Sequence, residues 1–127
     1  MSSKEVIVEF NDRMHFLECL KVNPGIIIVK FGANWCGPCK AIQVILELNF
    51  SQCEDNIICC DLDVDQNVDL YSFFKKNRQV NGIPTILAFF KDNISPFSNL
   101  SVSGADFNGI NNFFNKCNQK ARELKMK

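Results

Sequence analysis

The chain has a single histidine, His15, among its 127 residues, and no excess of either charge, with 14 Lys and Arg against 14 Asp and Glu. Neither sign gathers into a block of five or more. That removes the electrostatic footprint that nucleic-acid binding or attachment to an anionic membrane would require. Long apolar runs are also missing: the longest extend over a few residues, far short of the roughly 20 that cross a bilayer. Met1-Ser2-Ser3-Lys4-Glu5 leads straight into a strand-like alternation, with no apolar leader segment and no small-residue cleavage site, so a soluble, intracellular, cytoplasmic protein is expected. Repeats, low-complexity tracts and linkers are lacking as well. The length suits one domain with its own hydrophobic core, and residues 1–127 are read as that single domain.

Cysteine, by contrast, is plentiful. There are seven, an odd number that cannot all pair within one chain. Cys19, Cys53, Cys59, Cys60 and Cys117 lie among apolar residues, without the regular spacing of a secreted disulfide scaffold. They read as buried reduced thiols acting as small apolar side chains, with a second redox role for one of them as the sharper alternative. The remaining two, Cys36 and Cys39, are separated by Gly37-Pro38.

Hydrophobic periodicity sets the frame around that pair. Val6, Val8 and Phe10 alternate as a short edge strand. Asn11 or Asp12 then caps a helix to about Val22, with Phe16, Leu17 and Leu20 inward, ended by Asn23-Pro24-Gly25. Ile26–Phe31 is apolar on both faces except at Lys30, the pattern of a central strand covered by helices on each side. After the cysteine pair a helix is expected to about Cys53, with Ile42, Ile45, Leu46 and Leu48 as core candidates. Ile57–Val64 reads as a strand, Val68 to about Arg78 as a helix, Thr85–Phe90 and 101–103 as strands, and Asp106 to beyond Leu124 as a last helix. The series is that of an α/β fold with a three-layer α/β/α arrangement.

Two cysteines at this spacing either exchange a disulfide or supply half of a metal site. Zinc takes four ligands, and the chain offers no second Cys-x-x-Cys and only His15, while Cys59 and Cys60 are strand neighbours that point to opposite faces. No metal is expected. Redox chemistry fits the location better: at a strand-to-helix junction, the unpaired N–H groups and dipole of the helix start favour a thiolate. Cys36 then becomes the nucleophile and Cys39, one turn in, the resolving thiol. Pro38 suits a helix start because the N–H it lacks has no intrahelical partner there.

The stretch Phe31-Gly32-Ala33-Asn34-Trp35-Cys36-Gly37-Pro38-Cys39-Lys40 resembles the active-site signature of the thioredoxin family. The resemblance continues, in family order, through Asp63-Val64-Asp65-Gln66-Asn67, Gly82-Ile83-Pro84-Thr85 and Ser103-Gly104-Ala105. It implies a thioredoxin fold, a central mixed sheet flanked by helices, with a cis Ile83-Pro84 peptide facing the cysteines. It further implies that Trp35, Gly37, Pro38, Ile83, Pro84, Gly104 and Ala105 form the substrate surface, where the Ile83 backbone pairs with an extended segment of the target. The implied activity is reduction of protein disulfides through a mixed disulfide. No cofactor is bound by the chain itself; electrons come from a thioredoxin reductase that uses NADPH, and the protein is expected to be a monomer.

The match has gaps. Thioredoxins place a buried Asp where this chain has Lys30, and the bacterial ones a Lys where it has Asp61. Lys30 either snorkels to water or forms a partly buried pair with Asp61 beneath Cys39, Asp61 then serving as proton relay or charge-tuning group. A cation near the sulfurs favours thiolate and hence a potential somewhat above that of thioredoxins, unless Asp61 neutralises it. Gly32 replaces a second Trp, which should open space beside the site. A thioredoxin-fold binding module with little turnover is the alternative function, although docking alone requires neither thiol. An isomerase or oxidant is disfavoured by the missing secretion signal and by Gly37-Pro38.

Overall fold

A computed structural model describes residues 4–127. The elements run β1 (Val6–Ile7), α1 (Arg13–Lys21), β2 (Ile26–Gly32), α2 (Gly37–Ser51), β3 (Ile57–Asp63), α3 (Val68–Lys76), β4 (Thr85–Phe90), β5 (Leu100–Ser103) and α4 (Phe107–Lys125). Asp12 caps α1 by accepting the His15 N–H, and Asp106 caps α4 by accepting that of Gly109.

The five strands form one mixed sheet in the order β1-β3-β2-β4-β5. β3 is parallel to both β1 and β2, and β4 is antiparallel to β2 and β5. β2 is central and every one of its residues is buried, as a strand with helices on both faces requires. Ile27, Val29 and Phe31 face Phe16 and Leu20 of α1 and Leu70 and Phe74 of α3. Ile26 and Ile28 face Ile42, Leu46 and Phe50 of α2 and Ile110 and Phe114 of α4. This is the thioredoxin fold.

Two boundaries and one core assignment differ from the sequence pattern. Only Val6–Ile7 pair with β3. Beyond them the buried Asn67 side chain takes over the backbone, accepting the Phe10 N–H at 2.9 Å and donating to the Val8 carbonyl at 3.3 Å. Leu48 is 54% exposed and not part of the core; it stands about 200° around the helix from Leu46, whereas Phe50, four residues on, completes the buried stripe. α3 stops at Lys76 because the chain turns through Arg78 at φ +60°.

The core under α1 and α3 is held largely by phenylalanines. Phe74 is fully buried and meets Phe16, Phe31 and Phe89 at ring-centroid distances of 5.4, 5.7 and 5.7 Å. Phe74→Ala is expected to cost about 3–5 kcal/mol of stability by transfer and cavity terms together. In urea denaturation the midpoint should fall with the slope unchanged.

Candidate redox-active site

β2 ends at Gly32, residues 33–35 turn the chain, and Cys36 becomes the N-cap of α2 at φ −90°, ψ 113°. A Ser or Asp oxygen commonly occupies this position; here a sulfur does, and the Cys39 N–H donates to Cys36 Sγ at 3.2 Å. No acidic side chain stands in the first turn, so the positive end of the helix is directed at that sulfur alone. Pro38 and Gly37 fill the first two helical positions. Cys36 and Cys39 are joined by a disulfide, with their Cα atoms 5.2 Å apart.

Two further loops converge on the pair. The Ile83-Pro84 peptide is cis, and the Ile83 carbonyl oxygen lies 3.9 Å from Cys36 Sγ. Thr85 Oγ1 donates to the Gly82 carbonyl at 2.6 Å, and the Gly104 N–H donates to the Pro84 carbonyl at 2.9 Å. Gly104 sits at φ +79°, a conformation that favours glycine. Cys36 is itself only 6% exposed; beside it Trp35 at 68%, Gly37 and Pro38 are exposed together with the polar Asn34 and Lys40, while Gly104 and Ala105 are exposed and Ile83 is half-buried. Ile83, Pro84, Ser103 and Gly104 also line a groove of about 340 Å³. Trp35 does not rotate freely, because its Nε1–H donates to Asp65 Oδ2 at 2.8 Å.

Beneath the disulfide lies a charged network. Lys30 and Asp61 are register partners across β2 and β3. Lys30 Nζ donates to Asp61 Oδ1 at 3.0 Å and to Gln43 Oε1 at 3.3 Å. Gln43 Nε2 closes the ring on Asp61 Oδ2 at 3.1 Å and also donates to Glu47 at 2.8 Å. The Lys30 side chain is 6% exposed and that of Asp61 23%, so Lys30 is paired and enclosed, not snorkelling. A Cβ on Gly32 would stand 2.7 Å from Lys30 Nζ and 3.3 Å from Cys39 Sγ, which puts the ammonium and the inner sulfur on either side of one missing methyl group. The space beside Gly32 is taken up by the Lys30 side chain, and next to it lies a cleft of about 700 Å³, lined in part by Lys30, Gly32, Cys39, Gln43 and Asp61.

The structure thus pairs Lys30 with Asp61, sets Gly37 and Pro38 at the start of α2 between the two cysteines, brings the Ile83 carbonyl to Cys36 Sγ and ties the Gly104 turn to Pro84. Three participants were not singled out. Asp65 lies within the Asp63–Asn67 block that carries the resemblance, but nothing local marks it as the Trp35 partner. Gln43 and Glu47 look like ordinary solvent-side residues of an amphipathic helix, and only the side-by-side placement of α2 and β3 reveals their partners. Among the described residues, no group of three or more His, Cys, Asp or Glu is arranged to hold a metal ion.

The thioredoxin family model matches residues 4–116. The chain belongs to the thioredoxin family. It is 32% identical to a thioredoxin of Pseudomonas aeruginosa over 90 residues, 71% of this chain and 79% of that protein. A bifunctional thioredoxin reductase/thioredoxin of Mycobacterium leprae is 36% identical over 84 residues, 66% of this chain, which spans only 17% of that longer protein. Among solved structures, Trichomonas vaginalis thioredoxin superposes with a TM-score of 0.69 at 28% identity, covering 87% of this chain and 96% of that one. Family membership and the disulfide at its cysteine pair make the protein a thiol–disulfide oxidoreductase, of the protein-disulfide reductase type. No helix among its described residues is long and apolar enough to cross a membrane.

The reversed ion pair has a measurable stability signature. Removing one partner of a buried pair costs about 3–5 kcal/mol because the other charge is stranded. Asp61 retains some contact with water, so Asp61→Ala is expected at the lower end, about 3 kcal/mol. Adding Lys30→Met to that variant should recover most of the loss in urea denaturation, since no unpaired ammonium remains.

Proposed function

We propose that residues 1–127 act as one monomeric cytoplasmic domain that reduces disulfides in other proteins, with Cys36 as nucleophile and Cys39 as resolving thiol. The observation that carries this assignment of roles is the Cys39 N–H donating to Cys36 Sγ at the start of α2. An amide aimed at sulfur is worth most when the sulfur is a thiolate, so the outer cysteine is the one held ready to attack.

The reaction is two exchanges. Cys36 thiolate attacks one sulfur of the target disulfide; the new S–S bond forms as the target's own breaks, and the departing thiolate takes up a proton. Cys39 then gives up its proton and attacks Cys36 Sγ, releasing the second target thiolate and leaving the Cys36–Cys39 disulfide. Two electrons have passed to the target. The exposed rim of Trp35, Ile83, Gly104 and Ala105, with Gly37 and Pro38 beside the sulfur, receives the target. An extended segment lies along Ile83-Pro84 as an added strand.

Lys30 and Asp61 act on the second step. The cleft reaches Cys39 from the side of Asp61, so a water within it can carry the Cys39 proton to that carboxylate, while the Lys30 ammonium favours the Cys39 thiolate. Lys30 is also the anchor that keeps the Asp61 carboxylate turned toward the site. Electrons return through a thioredoxin reductase drawing on NADPH. The Mycobacterium leprae protein, named for both activities, supports that pairing.

Insulin reduction coupled to NADPH and a thioredoxin reductase tests the reading. Wild-type protein should turn over, Cys36→Ser should be inactive, and Cys39→Ser should accumulate the mixed disulfide. Failure of the wild-type pair to cycle would move the reading to a binding module. For the lower layer, Lys30→Ala should slow resolution of a preformed mixed disulfide and change its pH profile. An unaltered profile would remove Lys30 from the mechanism.

A further inference from the structure

The end of α3 and the turn after it carry three exposed cations, Lys75, Lys76 and Arg78, and none forms an ion pair among the described residues. Two of them have a local role. Lys75 and Lys76 stand where a cation offsets the negative end of the helix dipole, and Lys75 Nζ also lies 5.4 Å from the centre of the Tyr71 ring. Arg78 has no such role. It stands past the helix end at φ +60°, a conformation uncommon for a residue with a side chain.

The turn that carries Arg78 is pinned from both sides. The Arg78 N–H donates to the Lys75 carbonyl at 3.0 Å and the Gln79 N–H to the Phe74 carbonyl at 2.9 Å. Gln79 Oε1 accepts the Ser98 N–H at 2.8 Å, which ties the turn to the segment before β5, and the next residue, Val80, is buried in the core. The backbone under this cation is therefore fixed, while its charge meets no acid of the described chain.

Arg78 lines the groove of about 340 Å³ that also takes in Ile83 and Pro84. Ile83 is the residue whose carbonyl lies 3.9 Å from Cys36 Sγ, so the groove adjoins the reacting sulfur. Ser101 and Ser103, both exposed on β5, offer hydroxyls along it, and Arg78 is the one charged residue among those that line it. Hydroxyl and amide groups suit the backbone of an extended peptide, and a single unpaired guanidinium suits one carboxylate. On its own an exposed guanidinium gains little from a free acid. Once the Ile83 backbone has paired with a target, an acid on the same segment is delivered at a high local concentration.

We propose that Arg78 is a specificity-determining residue for the protein's targets: an extended target segment paired with the Ile83 backbone continues into this groove, where Arg78 pairs with an acidic side chain of that segment. The inference rests on the docking of targets along Ile83-Pro84 given above. Side chains on one face of an extended segment recur about every 7 Å, so the acid that meets Arg78 stands about two to four residues from the target cysteine. Lys75 and Lys76 add to the positive field at this end of the groove and favour the encounter with acidic targets.

The test uses the full reduced chain in single turnover with short peptides whose one cysteine carries thionitrobenzoate as a mixed disulfide. Cys36 thiolate attacks the peptide sulfur, the S–S bond of the peptide breaks, and the coloured thionitrobenzoate leaves; Cys39 then attacks Cys36 Sγ and releases the peptide thiolate. The rate of colour release is compared for peptides with Glu or Gln placed in turn at each position on either side of the cysteine. At one position two to four residues away, the Glu-to-Gln rate ratio should exceed that of Arg78→Asn, which tolerates the left-handed turn, by about three- to fivefold. Arg78→Lys should keep most of this gain, Arg78→Glu should transfer it to a Lys peptide, and about 1 M salt should remove it. Equal ratios in wild type and Arg78→Asn at every position would overturn the proposal. So would a gain lost equally in Lys75→Gln/Lys76→Gln, which would assign it to the general field of the helix end. Absence of turnover with every peptide would overturn the reductase reading instead, and the inference is then read by ¹⁵N NMR. The oxidised protein titrated with the Glu peptide carrying Ser for Cys should show shifts at the amides of Gln79, Gly82 and Ser101. No shifts there, or shifts unaltered in Arg78→Asn, would overturn the proposal.

Discussion

The hydrogen bond from the Cys39 amide to Cys36 Sγ is the contact on which the rest of the site depends. It exists because a fully buried strand delivers the chain to a three-residue turn and a helix starts immediately after. Each part of that arrangement has a physical cause. Burial on both faces fixes the direction of β2, Pro38 presets the first helical turn, and Cys36 occupies the cap position where the orphan N–H groups converge. The fold thus puts a polarisable sulfur at a focus of positive potential, and the cis Ile83-Pro84 peptide closes the remaining side.

Beneath this upper layer the chain departs from its family in sign but not in design. A buried acid next to the inner cysteine is replaced by Lys30, and the compensating charge appears across the strand pair at Asp61, in direct register. A lysine in a central strand is costly alone and tolerable when paired and hydrogen-bonded, which is what Asp61 and Gln43 provide. Gly32 belongs to the same exchange. The ammonium occupies the region where a larger side chain at this position would begin, so the Lys and the Gly are mutually dependent.

Much of this was legible in the sequence because it is written in short-range pattern. The run Ile26–Phe31 with Lys30 as its one interruption, the helix start at the cysteine motif, and the opposite facing of Cys59 and Cys60 all follow from periods of two and 3.6 residues. What escaped were contacts between segments far apart in the chain. Val8 and Phe10 continue the alternation of a strand, yet Asn67, nearly sixty residues on, captures their backbone instead of a neighbouring strand. Leu48 is a different case: it is as apolar as Leu46, and its angle around α2, which the 3.6-residue period already contains, turns it to solvent. Gln43 and Asp65 carry no local mark at all; their roles arise from which strand and which ring they meet.

The start of α2, with the Cys39 amide directed at Cys36 Sγ, favours the thiolate of the reduced Cys36. The most direct measurement is the rate of iodoacetamide alkylation of Cys36 in the reduced protein as a function of pH, with the modified residue identified by peptide mapping. A midpoint well below the value of about 8.5 for a free cysteine thiol is the expected result. A midpoint at or above that value, with Cys39 alkylated as fast as Cys36, would mean that the helix start does not favour the Cys36 thiolate.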